Sequence, residues 1–212
     1  MSMIIAKSRK SARKASGRSS RPPSPASRAS RADPLAELFH RRWLVPALAA
    51  LHLLQGAKFI TLLNRLETSR TSLKQTLEEG ATCGYIIKNP GYGHPLRPEY
   101  ILTDAGRAIA PACVKLIDRL HTMDVEGVCL RKWSLPVLLA IRGKPARFGA
   151  IRDRLGPITD RALTLALRDL IEAGLITRRV IDSYPPTTQY QLASRARTLL
   201  PMLRGLAGRA IL

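Results

Sequence analysis

Residues 159–170 read Thr-Asp-Arg-Ala-Leu-Thr-Leu-Ala-Leu-Arg-Asp-Leu, a mixture of apolar and hydrogen-bonding side chains at helical spacing. With Leu163, Leu167 and Leu170 forming a buried stripe, Thr159, Arg161, Thr164, Leu165 and Arg168 are left on the outward side. That set suits the edges of base pairs in a major groove. An arginine reads guanine O6 and N7 with two hydrogen bonds, and a leucine meets a thymine methyl. Thr159 at a helix N-terminus suits a phosphate. Arg161 and Arg168 are therefore candidate base readers, and Arg178 and Arg179 on the strand that follows are candidate backbone contacts. Each exposed arginine is equally compatible with a solvated helix face. An earlier stretch offers a related surface, Ser69, Arg70, Lys74 and Gln75, with Arg97 further on. There Glu78 stands at the place of Arg168 and Glu79 follows it, an acidic pair that opposes phosphate.

Catalytic chemistry finds no comparable pattern. His40, His52, His94 and His121 share no ligand spacing with cysteines or carboxylates, and no HExxH, GxSxG or P-loop motif occurs. Neither an enzyme nor a metal or cofactor is expected. Cys83, Cys113 and Cys129 form no CxxC pair or disulfide framework, which points to a reducing, cytoplasmic setting. No apolar run nears the ~18 residues of a membrane span, and Ile4-Ile5-Ala6 is too short for a signal peptide core.

Charge points to a polyanion. Lys and Arg total 35 against 15 Asp and Glu, a net +20 over 212 residues. Nucleic acid is the first expectation and anionic lipid the second. Aromatic residues, at 5%, are too few for the stacking platforms of RNA binders. Residues 1–32 hold 9 basic side chains and no acidic one, amid Ser, Ala and Pro. Such a segment cannot bury enough apolar surface to order itself, so a disordered basic tail is expected. It reads as an electrostatic arm, a plain solvated extension or an organellar transit peptide.

The elements that would position these residues occur twice. A shift of 90 aligns Trp43 with Trp133, Pro46 with Pro136, Leu73 with Leu163, Leu77 with Leu167, Gly84 with Gly174, Tyr100 with Tyr190 and Pro111 with Pro201. A shift of 89 aligns Phe59 with Phe148 and Arg65-Leu66 with Arg154-Leu155. Two copies of one unit are expected, 33–122 and 123–212, carrying net charges of +3 and +8. Each reads as a helix from the Trp (43–54, 133–142), a short helix (57–66, 146–155), a break, and a third helix (69–83, 159–173). Two strands around a proline-bearing loop and a last helix (104–121, 194–209) complete it. The expected class is α+β, predominantly helical, as two tandem winged helix-turn-helix domains. The third helices would enter the groove and the hairpins would be wings.

The second copy resembles the HxlR-type winged helix-turn-helix transcriptional regulators. The resemblance runs from Lys132-Trp133 through Arg147-Phe148 and Thr159-x-Arg161-x-Leu163-x-x-x-Leu167-Arg168-x-Leu170. It continues through Glu172-x-Gly174-Leu175-Ile176-x-Arg178 to Pro185-Pro186-x-x-x-Tyr190-x-Leu192. The first copy looks like a diverged member. It has His94-Pro95-Leu96-Arg97-Pro98 in the wing, yet keeps Tyr100-x-Leu102-Thr103-x-x-Gly106, where the family caps its last helix and the second copy has Ala193 and Ala196. Cys129, four residues before Trp133, lies closer than the sensing cysteine of some relatives. Family members are usually homodimers, so the resemblance implies a regulator of double-stranded DNA working as a fused pseudo-dimer. Its terminal helices would bind each other within one chain or across two. Non-specific architectural DNA binding and a protein-interaction role are the alternatives. Operator and effector are not given by the sequence.

Overall fold

Leu44–Leu54 (α1) carries no acidic, lysine or arginine side chain, and its first eight residues, Leu44 through Leu51, are all buried. A helix apolar all round belongs inside a core, and Pro46 is tolerated because it lies in the first turn. The computed structural model of the protein describes residues 38–89, 99–184 and 186–209, all within the unit Ala32–Leu212. The tail 1–32, Arg97 with its loop, and Pro185 lie outside the described residues. After α1 come β1 (Ala57–Lys58), α2 (Phe59–Leu66), α3 (Arg70–Thr82), β2 (Ile86–Asn89), β3 (Glu99–Leu102) and α4 (Asp104–Thr122). A short α5 (Glu126–Cys129) leads to a second run in the same order. It comprises α6 (Ser134–Ala140), β4 (Ala146–Arg147), α7 (Phe148–Leu155), α8 (Asp160–Glu172), β5 (Ile176–Ile181), β6 (Thr187–Leu192), α9 (Ser194–Arg197) and α10 (Leu200–Arg209).

Three features depart from the sequence expectation. The helices expected to begin at 57 and 146 start two residues later, because Ala57–Lys58 and Ala146–Arg147 are extended and pair with β3 and β6. Each hairpin thereby becomes a three-stranded antiparallel sheet, ordered β1-β3-β2 and β4-β6-β5. A two-residue strand carries no periodicity, so the pattern of apolar residues could not show it. Ser134–Ala140 is also shorter than the expected 133–142, with Gly143 at φ 92° just beyond it.

The third departure is the last helix, which is continuous in the first run and broken into α9 and α10 in the second. Thr103 caps α4, its Oγ1 accepting from the Gly106 N–H at 3.0 Å and donating to the Gly84 carbonyl at 2.6 Å. Gly106 is required there, since a Cβ would lie 2.1 Å from the Tyr85 carbonyl oxygen. Ala193 offers α9 no side-chain cap. Pro201 lacks the N–H that would reach the Arg197 carbonyl, and the helix restarts at Leu200. The well-capped α4 instead runs through Pro111.

One continuous apolar core holds the described elements together. Helix α4 packs on α1, α10 packs on both α4 and α6, and α5 packs on α6 and α8. Where α4 meets α10, a groove of about 260 Å³ is lined by Pro111, Ala112 and Lys115 from one helix and Pro201, Met202 and Gly205 from the other. Each residue faces the neighbourhood of its counterpart 90 positions away. Polar bonds cross the same seam: Arg195 Nη2 donates to the Met123 carbonyl at 2.6 Å, and Arg119 Nη2 donates to Thr198 Oγ1 at 3.2 Å. No described helix is long and apolar enough to cross a membrane.

Candidate nucleic-acid interface

Helices α3 and α8 are built alike. Ser69 and Thr159 sit in extended backbone and cap them, each side-chain oxygen accepting from the N–H three residues on (Ser72 at 3.1 Å, Ala162 at 3.2 Å). Both helices end in the same motif. Gly84 and Gly174 adopt φ of 74° and 66°, the next N–H (Tyr85, Leu175) reaches back to the carbonyl of Gly80 or Leu170, and both bonds measure 2.9 Å. Between the caps, the order of buried, half-buried and exposed positions over 69–80 repeats without change over 159–170. Leu73 and Leu77, like Leu163, Leu167 and Leu170, are buried.

The outward face of α8 presents the expected side chains. Thr159, Arg161, Thr164, Leu165 and Arg168 are all exposed, Leu165 by 41% of its surface. Arg161 makes no hydrogen bond or ion pair among the described residues, so its five donors remain available. Arg168 lies 3.7 Å from Glu172 and 3.9 Å from Asp169. The Thr164 hydroxyl donates to the Asp160 carbonyl at 2.8 Å, which leaves it as an acceptor. Ser69, Arg70, Lys74 and Gln75 are exposed on α3. Gln75 accepts from Arg41 at 3.1 Å, leaving its amide N–H groups outward, and Lys74 sits 3.9 Å from Glu78.

The two wing arginines part company. In the β5–β6 ladder Arg178 lies opposite Tyr190 and Arg179 opposite Gln189, so their side chains leave opposite faces of the sheet. A cleft of about 450 Å³ between α8 and the sheet is lined by Phe148, Thr164, Arg168, Arg178 and Tyr190. Arg178 thus joins the α8 cluster. Arg179 shares the other face with Arg147, which also lies opposite Gln189. Residue alternation could have separated the pair from sequence once the register was known.

Two further findings concern charge. Glu79 pairs with His40 at 3.8 Å, and Asp169, its counterpart, pairs with Arg131. The acid at this position turns toward the segment preceding each first helix in both halves. Glu78 marks an exposed position at which the two helices carry opposite charge, Arg168 standing there in the second. Its influence is seen at Tyr100, whose phenol is pushed above its ordinary pKa by burial first and by the Glu78 charge second. Sequence reasoning also passed over Arg152, which lies 3.3 Å from Asp160 in the first turn of α8. An arginine eight residues before a helix-start acid gives no spacing signal on its own.

Cys113 and Cys129 are buried, and burial pushes both thiols up to about 12, so at neutral pH they are protonated. Among the described residues, no group of three His, Cys, Asp or Glu side chains can hold a metal ion.

Comparison with known proteins bears on this geometry. The pattern of the HxlR-like helix-turn-helix family matches residues 128–209. A relative from Halalkalibacterium halodurans is 34% identical over 87 residues, covering 41% of this chain and 74% of that protein. The chain belongs to the HxlR-like helix-turn-helix family. A second relative, from Methanothermobacter thermautotrophicus, is 37% identical over 75 residues, and the match spans 57% of that protein and 35% of this one. Both relatives are described as uncharacterized HTH-type transcriptional regulators. A solved MarR-family protein from Porphyromonas gingivalis W83 is 22% identical, covering 42% of this chain and 88% of that one with a TM-score of 0.40. The HxlR-like match takes in α6 through α10, and so contains α8 and its wing.

Proposed function

We propose that this HxlR-like chain is a sequence-specific double-stranded-DNA-binding transcription regulator, non-enzymatic and cytoplasmic. In this reading it consists of two tandem winged helix-turn-helix domains, 33–122 and 123–212, acting as a pseudo-dimer within one polypeptide. The observation that carries it is the repeated exposure pattern of α3 and α8, joined by a seam in which equivalent positions of α4 and α10 meet. An isologous dimer interface is built in that way, from one surface meeting its own copy.

In this reading α8 is the main reader, with Arg161 and Arg168 on base edges, Leu165 on a thymine methyl, and Thr159 and Arg178 on phosphate. Helix α3, through Ser69, Arg70, Lys74 and Gln75 with Arg97 in its wing, reads a second and weaker half-site. Fusion fixes the spacing of the two, ideally near about 34–36 Å, one helical turn. The basic segment 1–32 adds sequence-independent attraction that falls with salt. Binding sites selected from random duplexes by the full chain, with its solution mass measured alongside, test this. The expected result is a monomer on an asymmetric or imperfectly palindromic site. Symmetric inverted repeats bound by a homodimer would overturn the pseudo-dimer. Equal affinity for selected and scrambled duplex at physiological salt would mean architectural binding instead.

A further inference from the structure

A cleft of about 580 Å³ lies between the end of α6 and the end of α7. Pro136, Leu139 and Leu155 supply apolar walls, while Arg142, Lys144 and Arg154 supply the polar ones. No carboxylate lines it, and none of the three cations has a carboxylate partner among the described residues. Arg142 and Arg154 are held at its wall by single bonds to the last carbonyls of α6. Arg142 Nη1 donates to Leu139 at 3.2 Å, and Arg154 Nη1 donates to Ala140 at 2.6 Å. A guanidinium has five N–H donors, so each keeps others for a ligand.

The first half contains a natural control. The corresponding cleft, about 400 Å³, has Pro46, Ala49 and Leu66 at the matching places and Arg65 where Arg154 stands. Glu67, Asp118 and Glu126 also line it. The fold therefore makes the cavity in both halves but does not dictate its charge. Three unpaired cations around an apolar cleft repel one another, and an anion relieves that repulsion. The volume falls within the range of about 300–1,000 Å³ typical of small-molecule sites.

We propose that the α6–α7 cleft binds a small organic anion, its apolar body on Pro136, Leu139 and Leu155 and its carboxylate at Arg142, Lys144 and Arg154. The site does not depend on the DNA reading given above. Because α7 leads through Gly156-Pro157 into α8, an occupant would sit one turn from the element in which that reading is centred.

Calorimetric titration of the full chain with 2-naphthoate, 2-naphthamide and inorganic phosphate separates the contributions. Saturable binding of one naphthoate per chain is expected, with the amide silent and phosphate much weaker. The double variant Arg142→Gln/Lys144→Gln should bind naphthoate about tenfold or more weakly, as loss of charged hydrogen bonds implies, with unchanged thermal unfolding. Glu67→Gln, in the opposite cleft, should leave naphthoate binding as it was. The proposal is overturned if naphthoate does not bind, if the amide or phosphate binds equally, or if the double variant binds as well as the parent. Weakened duplex binding by that variant with naphthoate affinity intact would also overturn it, marking the cleft as a DNA-backbone contact. A parent chain that takes naphthoate but no duplex sinks only the DNA reading.

Discussion

Helices α3 and α8 bury the same positions and expose different chemistry. Over 69–80 and 159–170 the burial pattern is identical, and both helices have a hydroxyl cap and a glycine-ended C-terminus. Yet the outward faces carry Arg70, Lys74, Gln75 and Glu78 in one case and Arg161, Thr164, Leu165 and Arg168 in the other. The inward residues answer to one packing requirement, which a single methylene disturbs. Outward residues answer only to whatever they meet. The difference between the helices is thus a difference in what each can bind, laid over a shared structural frame.

The strongest way to break that comparison is to attack the shared frame. Leu73→Ala and Leu163→Ala remove equivalent, fully buried side chains, and each should cost about 2–5 kcal/mol. Because the core runs unbroken through the seam of α4 and α10, both variants should shift one cooperative transition when unfolding is followed by circular dichroism in urea. Two separated transitions would show that the halves fold independently.

The next test bears on the exposed faces. Arg161 and Arg70 are both unpaired among the described residues, so neither is committed to holding its own helix. Arg161→Ala should lose about 1–3 kcal/mol of discrimination at one base pair, measured against a panel of single-base variants of the selected site. Arg70→Ala should cost less, and at a different position. Equal losses at every base pair for Arg161→Ala would reduce that side chain to a phosphate contact.

What the sequence disclosed follows the same division. Leu73/Leu77 and Leu163/Leu167/Leu170 announced the two helices by period, and both helices stand where that period put them. Strands β1 and β4 went unseen because two residues have no period, and they exist only through pairing with distant β3 and β6. The break at Pro201 was legible in principle, but Pro111 at the equivalent place does not break α4; the outcome turns on the surrounding cap and packing. At the candidate interface, which residues face outward was legible. That Glu79 turns to His40, and that Arg179 leaves the sheet away from Arg178, required strand register and the neighbouring segment.

The difference in final helices gives a smaller, two-sided test. Thr103→Ala removes the α4 cap and its bond to Gly84, and about 1 kcal/mol of stability should go with it. Ala193→Thr places a hydroxyl where α9 has no side-chain cap, in backbone already extended at φ −66° and ψ 155°, and should add stability of up to about 1 kcal/mol. Opposite shifts of the urea midpoint with an unchanged slope would confirm that capping separates the two ends.

The smallest expected effect isolates a position at which the two helices carry opposite charge. Glu78 and Arg168 occupy equivalent exposed positions; Glu78 lies 3.9 Å from Lys74, and Arg168 lies 3.7 Å from Glu172 and 3.9 Å from Asp169. Such surface pairs contribute little to stability, so Glu78→Arg and Arg168→Glu should leave unfolding nearly unchanged while moving DNA affinity in opposite directions. If α3 lies against a duplex, Glu78→Arg removes a repulsion and should tighten binding several-fold at moderate salt. It should also steepen the dependence of log affinity on log salt by up to about 1. Arg168→Glu should weaken binding and flatten that slope. A response to the Arg168 change with none to the Glu78 change would confine recognition to the second half and leave α3 as a structural partner that only resembles a reader.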